Sequence, residues 1–389
     1  MLDPARLVRW LLLGSVGTPA AHQANLRTRR IRVGGAVLVA GLLIYATVPL
    51  GVLAEEVAPS RYIQTNLVSD VPGLAQLTDS SLVNAWGMSF SPTSPVWISD
   101  NGADVATLYR GDTPGVPIAK VPLTVTIPDG APTGQVFNPT SDFVVSAGGA
   151  SAPARFIFAS ENGSIDAWNP GVPPPGPSTM AQSMVTVTGA VYKGLALSTG
   201  VSGSHLFAAN FHDNRIDVFN GNFQLVQLDG SFADPMLPAG YAPFDVANLG
   251  GRLFVTYAMQ DAAAHDDVAG QGHGFVDVFD LEGHLLQRLI SHGRLNSPWG
   301  LALAPGGFGQ FSGDLLVGNF GDGRINAYDP STGEFVGVLS SRPGKPIVID
   351  GLWALLFGNG TAGTPTTLLF SAGPDGEQHG LFGSIALAP

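Results

Sequence analysis

The chain has 389 residues, 45% of them hydrophobic and only 12% charged, with 51 glycines and 30 prolines; this excludes disorder and favours many short strands joined by turns over long helices. No cysteine is present, so thiolate metal sites, disulfide scaffolds and cysteine nucleophiles are all excluded. The formal net charge of −12 repels phosphate backbones and removes nucleic acid from the expected partners.

The first 54 residues read as a separate segment. Arg27, Arg29, Arg30 and Arg32 precede an uncharged, largely apolar run over 33–54 that ends in small residues before Glu55 and Glu56. A basic start, an apolar core and a small-residue end are the parts of an export signal, and cleavage after Ala54 is the expected outcome. At 22 residues the run is also long enough to span a bilayer if it is retained as an anchor. Either way the remainder is expected in a periplasm or outside the cell. Without residues 1–54 the chain keeps 12 basic against 29 acidic residues, a net charge of −17, which favours cations and neutral or cationic ligands.

Residues 55–389 are built by restating one phrase. Over 295–330 a short apolar run, a Gly/Pro turn, a second run, a tight polar turn and a third run ending in Tyr328 describe a β-meander. The phrase recurs over 191–220 and 141–170. One residue inside the first run of each unit serves as a ruler: Gly87, Asp142, Gly194, Asp245, Gly300 and Trp353, spaced by 55, 52, 51, 55 and 53 residues. Six near-equal meanders predict an all-β, six-bladed β-propeller. The sixth unit ends with its third strand, while residues 61–68 form a strand with no partner of their own. That N-terminal strand is therefore expected to complete the last blade and close the ring, which removes exposed sheet edges.

The run LFAANFHDNRIDVF over 206–219 and its sister LLVGNFGDGRINAYD over 315–329 resemble blades of the NHL-repeat type. With NLVSD over 66–70 and the NAWG segment, residues 61–387 resemble an uncharacterised family of exported bacterial propellers. The resemblance implies the fold; related propellers include sugar-lactone hydrolases, peptide-processing lyases and pure binding scaffolds, so it selects no activity.

In such a fold the leading ends of the first strands and the turns between second and third strands share one face. Asn84, Asp142, Asp245, Asn296 and Asp350 are expected at the leading ends, with Asp100, Asn101, Glu161, Asn162, Asn210, His212, Asp213, Asn214, Asn319 and Asp322 in the turns. An oxygen-rich ring of this kind suits a hard cation such as Ca²⁺, for which Asp142, Asp245 and Asp350 are the candidate ligands. Asn, Asp and Gly are also ordinary hairpin residues, which explains the turn set without any ligand. Two turns break the short-loop rule: that over 256–274, with Asp261, His265, Asp266, Asp267 and His273, and that over 371–380, with Asp375, Glu377 and His379. Long loops over a rigid mouth are where binding residues concentrate. His212 is a lone histidine in a short turn, and Trp86 and Trp299 read as inter-blade packing with sugar stacking as the lesser alternative.

No G-x-S-x-G elbow, H-E-x-x-H helix, P-loop or dinucleotide fingerprint occurs. The sequence reading is thus an exported, monomeric propeller that binds a small molecule or an extracytoplasmic protein at an acidic channel mouth, with Ca²⁺ or another divalent cation as the candidate cofactor. The alternative is a metal-dependent hydrolase of the lactone or ester type.

Overall fold

A computed structural model describes residues 60–200 and 203–389. The predicted export segment lies outside the described residues. Among those described, no helix is long and apolar enough to cross a membrane.

Six sheets form the blades, each antiparallel apart from a short parallel pairing of Leu77–Thr78 at the outer edge of the last, and strands are numbered from the innermost outward. Blade 1 comprises Ala85–Ser89, Val96–Asp100, Val105–Arg110 and Ala119–Thr126. Blade 3 begins at Tyr192–Gly200, blade 4 at Tyr241–Leu249 and blade 5 at Pro298–Leu303, each followed outward by three strands in sequence order. Blade 6 has only Leu352–Phe357, Leu368–Ala372 and Leu381–Leu387 from the C-terminal end, and Tyr62–Ser69 pairs antiparallel with the last of these as its fourth strand. The predicted closure is therefore what the chain does. Tyr62 fixes it: the ring stacks on Phe311 at 5.9 Å and the hydroxyl donates to the Phe308 carbonyl at 2.7 Å.

Blade 2 differs from its predicted layout. Its inner strand is Pro132–Phe137, and the run read as that strand instead forms an additional hairpin, Val144–Ala147 with Ala150–Pro153, between the first and second strands of the blade. The true ruler residue is Gly134. A Cβ there would come within 2.5 Å of the Leu195 backbone nitrogen, so only glycine lets the two inner strands approach this closely near the axis.

The third strands carry a buried acid. Asp166, Asp217 and Asp277 lie inside blades 2, 3 and 4, with Asn326 in blade 5. Asp217 is well supplied, accepting from Tyr192 at 2.9 Å, Asn210 at 2.8 Å and Arg215 at 2.6 Å. Asp166 has only the Ser164 hydroxyl at 2.7 Å on one oxygen, and its other oxygen is buried without a partner. Burial pushes its pKa up to about 7. Below the ordinary carboxylate value the group is protonated in both folded and unfolded chains, and above about 7 it is ionised in both, so its effect is a loss of stability as pH rises through that window. Asp166→Asn is expected to raise the unfolding free energy by roughly 2–4 kcal/mol at about pH 8 and to leave it nearly unchanged at about pH 4. Urea denaturation at the two pH values checks this; equal effects at both would show that ionisation of Asp166 does not matter.

Candidate functional site

The floor of the mouth is aromatic. Trp86, Lys193, Trp299 and Trp353 occupy equivalent places on the inner strands of blades 1, 3, 5 and 6, and all four are buried. Trp86 and Trp353 stack at 3.7 Å, and Trp299 meets them edge-on at 6.5 and 5.9 Å. Phe320, from a turn of blade 5, stacks on Trp353 at 4.0 Å, and Phe244 lies 5.8 Å from it. The rings reach across the axis and plug the channel at this end. Lys193 is the exception among them, its ammonium 5.1 Å from the centroid of Trp86 and 5.9 Å from that of Phe211.

Above this floor runs a hydrogen-bonded chain of side chains from several blades. Lys193, only 2% exposed, pairs with Glu161 and lies 3.4 Å from Asp266. Glu161 also accepts from Asn101 at 2.9 Å, and Asn101 in turn accepts from Asn84 at 3.2 Å. The Asn84 amide donates to Glu377 at 2.7 Å while its oxygen accepts from the Trp353 indole at 3.0 Å. A buried ammonium tolerates desolvation only when carboxylates and ring faces surround it, and both are present here. Burial pushes the Glu377 carboxyl above the ordinary range, opposed by its bond from Asn84. Burial likewise raises Asp267, against the opposing influence of Ser297 and Lys193.

The predicted site residues divide sharply. Asn84 is at the centre of the chain just described. The long loop after Arg252–Met259 does reach the mouth: His265 bonds Asp266 at 2.9 Å, and Asp267 lies beside Lys193. His273 belongs to the same loop but is tied at 2.9 Å to the Val268 carbonyl, which makes it a brace of the loop. His379 pairs with Asp70 at 2.8 Å, a bond that raises its pKa, and so locks the blade 6 turn to the closing strand. His212 is exposed on the surface of its turn.

The three proposed calcium ligands do not converge. Asp142 follows the inner strand of blade 2 and precedes the additional hairpin, which places it at the opposite end of the blade from the mouth. Asp350 is exposed and accepts the Asp375 backbone N–H at 2.9 Å. Asp245 alone faces the channel, beyond the tryptophan floor. Among the described residues, one group of acids and histidine has ligand atoms mutually within 4.8 Å, and it is Glu161, His265 and Asp266. Its imidazole makes it a set for a transition metal more than for calcium.

Lys193 went unnoticed in the sequence. Its signal is simple in retrospect: in VYKGLAL it holds the place that a tryptophan holds in NAWGMSF and PWGLAL.

Fold and mouth together define a closed six-bladed β-propeller with a charged cluster on the channel axis. The chain belongs to the family of uncharacterized protein R648 of Acanthamoeba polyphaga mimivirus, to which it is 34% identical over 350 residues, 86% of this chain and 83% of that protein. A second mimivirus protein, L690, is 34% identical over 334 residues, covering 82% of this chain and 84% of its own. The bacterial character suggested by the sequence resemblance is not supported by these relatives. No protein-family profile matches the chain. Among solved structures, a glucose dehydrogenase superposes with a TM-score of 0.51 at 11% identity, covering 84% of this chain and 100% of that one. A streptogramin B lyase gives 0.46 at 11% identity over 84% and 97% of the two chains. At such identities the likeness is one of fold alone.

Lys193→Met removes the only cation of the cluster and leaves Glu161 facing Asp266 across a buried floor. It is expected to cost about 2–4 kcal/mol in chemical denaturation, and adding Glu161→Gln should recover more than half of that loss. Additive losses in the double variant would mean that the two side chains are not coupled.

Proposed function

We propose that the protein is an exported, monomeric propeller that binds a small cationic ligand at the mouth formed by Glu161, Asp266 and Glu377. The observation behind this reading is the convergence of charged or amide side chains from five blades on one hydrogen-bonded chain at the axis. Paired hairpin residues would satisfy their own turns instead, as Asp213 does with Asn210 in blade 3. Lys193 meets only part of the negative charge, and Asp266 and His265 project from the mouth into solvent, 68% and 47% exposed. An incoming cation finds carboxylates already oriented, so little side-chain freedom is lost on binding. Export rests on the basic and apolar pattern of residues 1–54.

Thermal unfolding with putrescine, calcium chloride, zinc chloride or glucose as additive tests the reading. At least one cationic probe should raise the unfolding midpoint, glucose should not, and Glu161→Gln with Asp266→Asn should abolish the shift. A shift that survives in the double variant, or no shift with any cation, sinks it.

A second reading has one observation in its favour, the Glu161, His265 and Asp266 group. A divalent transition metal held there would make a hydrolase of the lactone or ester type the natural activity. Lys193 opposes it, since its ammonium already lies at the same two carboxylates. Metal analysis of the purified protein, followed by calorimetry with and without a chelator, decides the matter. Bound zinc or iron together with a lower unfolding temperature after chelation would favour the metal; a metal-free protein insensitive to chelation would exclude it.

A further inference from the structure

The tryptophan floor has a second side. Beyond it the inner strands enclose a channel cavity of about 500 Å³ that opens on the face away from the mouth, with Trp299 forming part of its wall. That volume lies within the range of small-molecule sites. The wall is mostly apolar, with Met88, Val136, Leu195, Leu301 and Leu355 among its residues.

The polar groups on this wall are nearly all occupied. Gln135 donates to the Gly87 carbonyl at 2.8 Å and to Ser99 at 3.1 Å, and accepts from Ser89 at 3.0 Å. Asn248 donates to the Leu197 carbonyl at 3.0 Å. Asp245 is different. It is the one ionisable residue of the cavity wall and is 7% exposed. Among the described residues no lysine, arginine or histidine forms an ion pair with it, and the carboxyl has only the Val246 backbone N–H as partner.

The fold makes room for this carboxyl. It packs directly against Gly194 of the preceding inner strand, where any Cβ would collide with it. Strand register moves the ruler place of blade 6 from Trp353 to Ala354, and four of the other inner strands then carry glycine or alanine there, Gly87, Gly134, Gly300 and Ala354, so the propeller does not require an acid near the axis. An unpaired acid in an apolar chamber costs stability and supplies one thing, a single anchoring point for a cation or hydrogen-bond donor.

We infer that this channel is a second binding site, for a small molecule with an apolar body and one primary amine, whose ammonium sits on the Asp245 carboxylate while the body packs against the aliphatic wall and Trp299. Burial holds the Asp245 carboxyl protonated well above the ordinary range in the empty channel. As the ammonium arrives, the carboxyl gives its proton to solvent and the pair that forms is neutral overall. The plug of Trp86, Trp299 and Trp353 separates this site from the mouth. The inference is independent of the function proposed above, because neither Glu161 nor Asp266 lines this cavity.

The test is isothermal titration of the full chain at neutral pH with 2-phenylethylamine and with 2-phenylethanol, which has the same shape without the charge. The amine should bind at least roughly tenfold more tightly than the alcohol. Asp245→Asn should erase that preference, and Thr199→Trp, at an exposed place on the cavity rim, should weaken both ligands. The comparison is repeated in a Glu161→Gln, Asp266→Asn background, which removes two carboxylates of the mouth, where the amine should still bind more tightly than the alcohol through Asp245. Absence of amine binding, equal affinities for the two probes, an amine preference that survives in Asp245→Asn, or its loss in the background without the mouth carboxylates would each overturn the inference. Because Thr199 is exposed, its variant reports on the channel even if Asp245→Asn fails to fold.

Discussion

Ring closure is the constraint on which the rest of the molecule depends. A propeller left open at one blade would expose two sheet edges and leave its inner strands free to splay. Here the strand Tyr62–Ser69 is laid against Leu381–Leu387, so the two ends of the chain share blade 6. The seam between blades 6 and 1 is also where the mouth is assembled. Trp86 of blade 1 stacks on Trp353 of blade 6, and Asn84 of blade 1 binds both Trp353 and Glu377 of blade 6. Closure brings these groups to hydrogen-bonding distance, which makes the site a product of the completed ring and of no single blade.

The cluster at the mouth illustrates how burial is tolerated when partners are supplied. Desolvating one ammonium costs several kcal/mol by itself. Lys193 offsets that with Glu161, Asp266 and the faces of two rings. The acids of the third strands show the contrast. Asp217 has three donors, whereas Asp166 has one hydroxyl and a pKa pushed up to about 7 by burial. The same residue type in the same strand position therefore has two hydrogen-bonding environments, set by whether a tyrosine, an amide and an arginine stand nearby.

Blade number, closure and most strand positions were legible in the sequence because they follow from periodicity, and period is a property that neighbouring side chains report directly. Blade 2 was misplaced because SDFVV alternates as convincingly as the true inner strand, which begins with Pro132 and contains Gly134 and Gln135. A second regularity stayed hidden for a related reason. Three residues before the ruler place, Asn84, Ala131, Ser297 and Gly351 all adopt positive φ. The conformation repeats while the residue type does not, and an alanine at φ 45° gives no textual sign of its strain. The site was legible only in part. Long loops announced His265, Asp266 and Asp267, but which acids meet depends on distances across blades, and Asp142, Asp245 and Asp350 shared a pattern without sharing a place.

The tryptophan plug then explains why one axis carries two kinds of acidic environment. On the mouth side the acids are several, partly exposed and paired with a built-in cation. On the channel side one carboxyl stands alone among aliphatic groups, where a bare ion is strongly disfavoured and a hydrated metal would find too few oxygens to replace its water. Three packed indoles, two stacked and one edge-on, reach across the axis and keep these environments apart. The floor is thus more than packing between blades: its rings fill the axis between the largely apolar cavity on one side and the polar chain on the other.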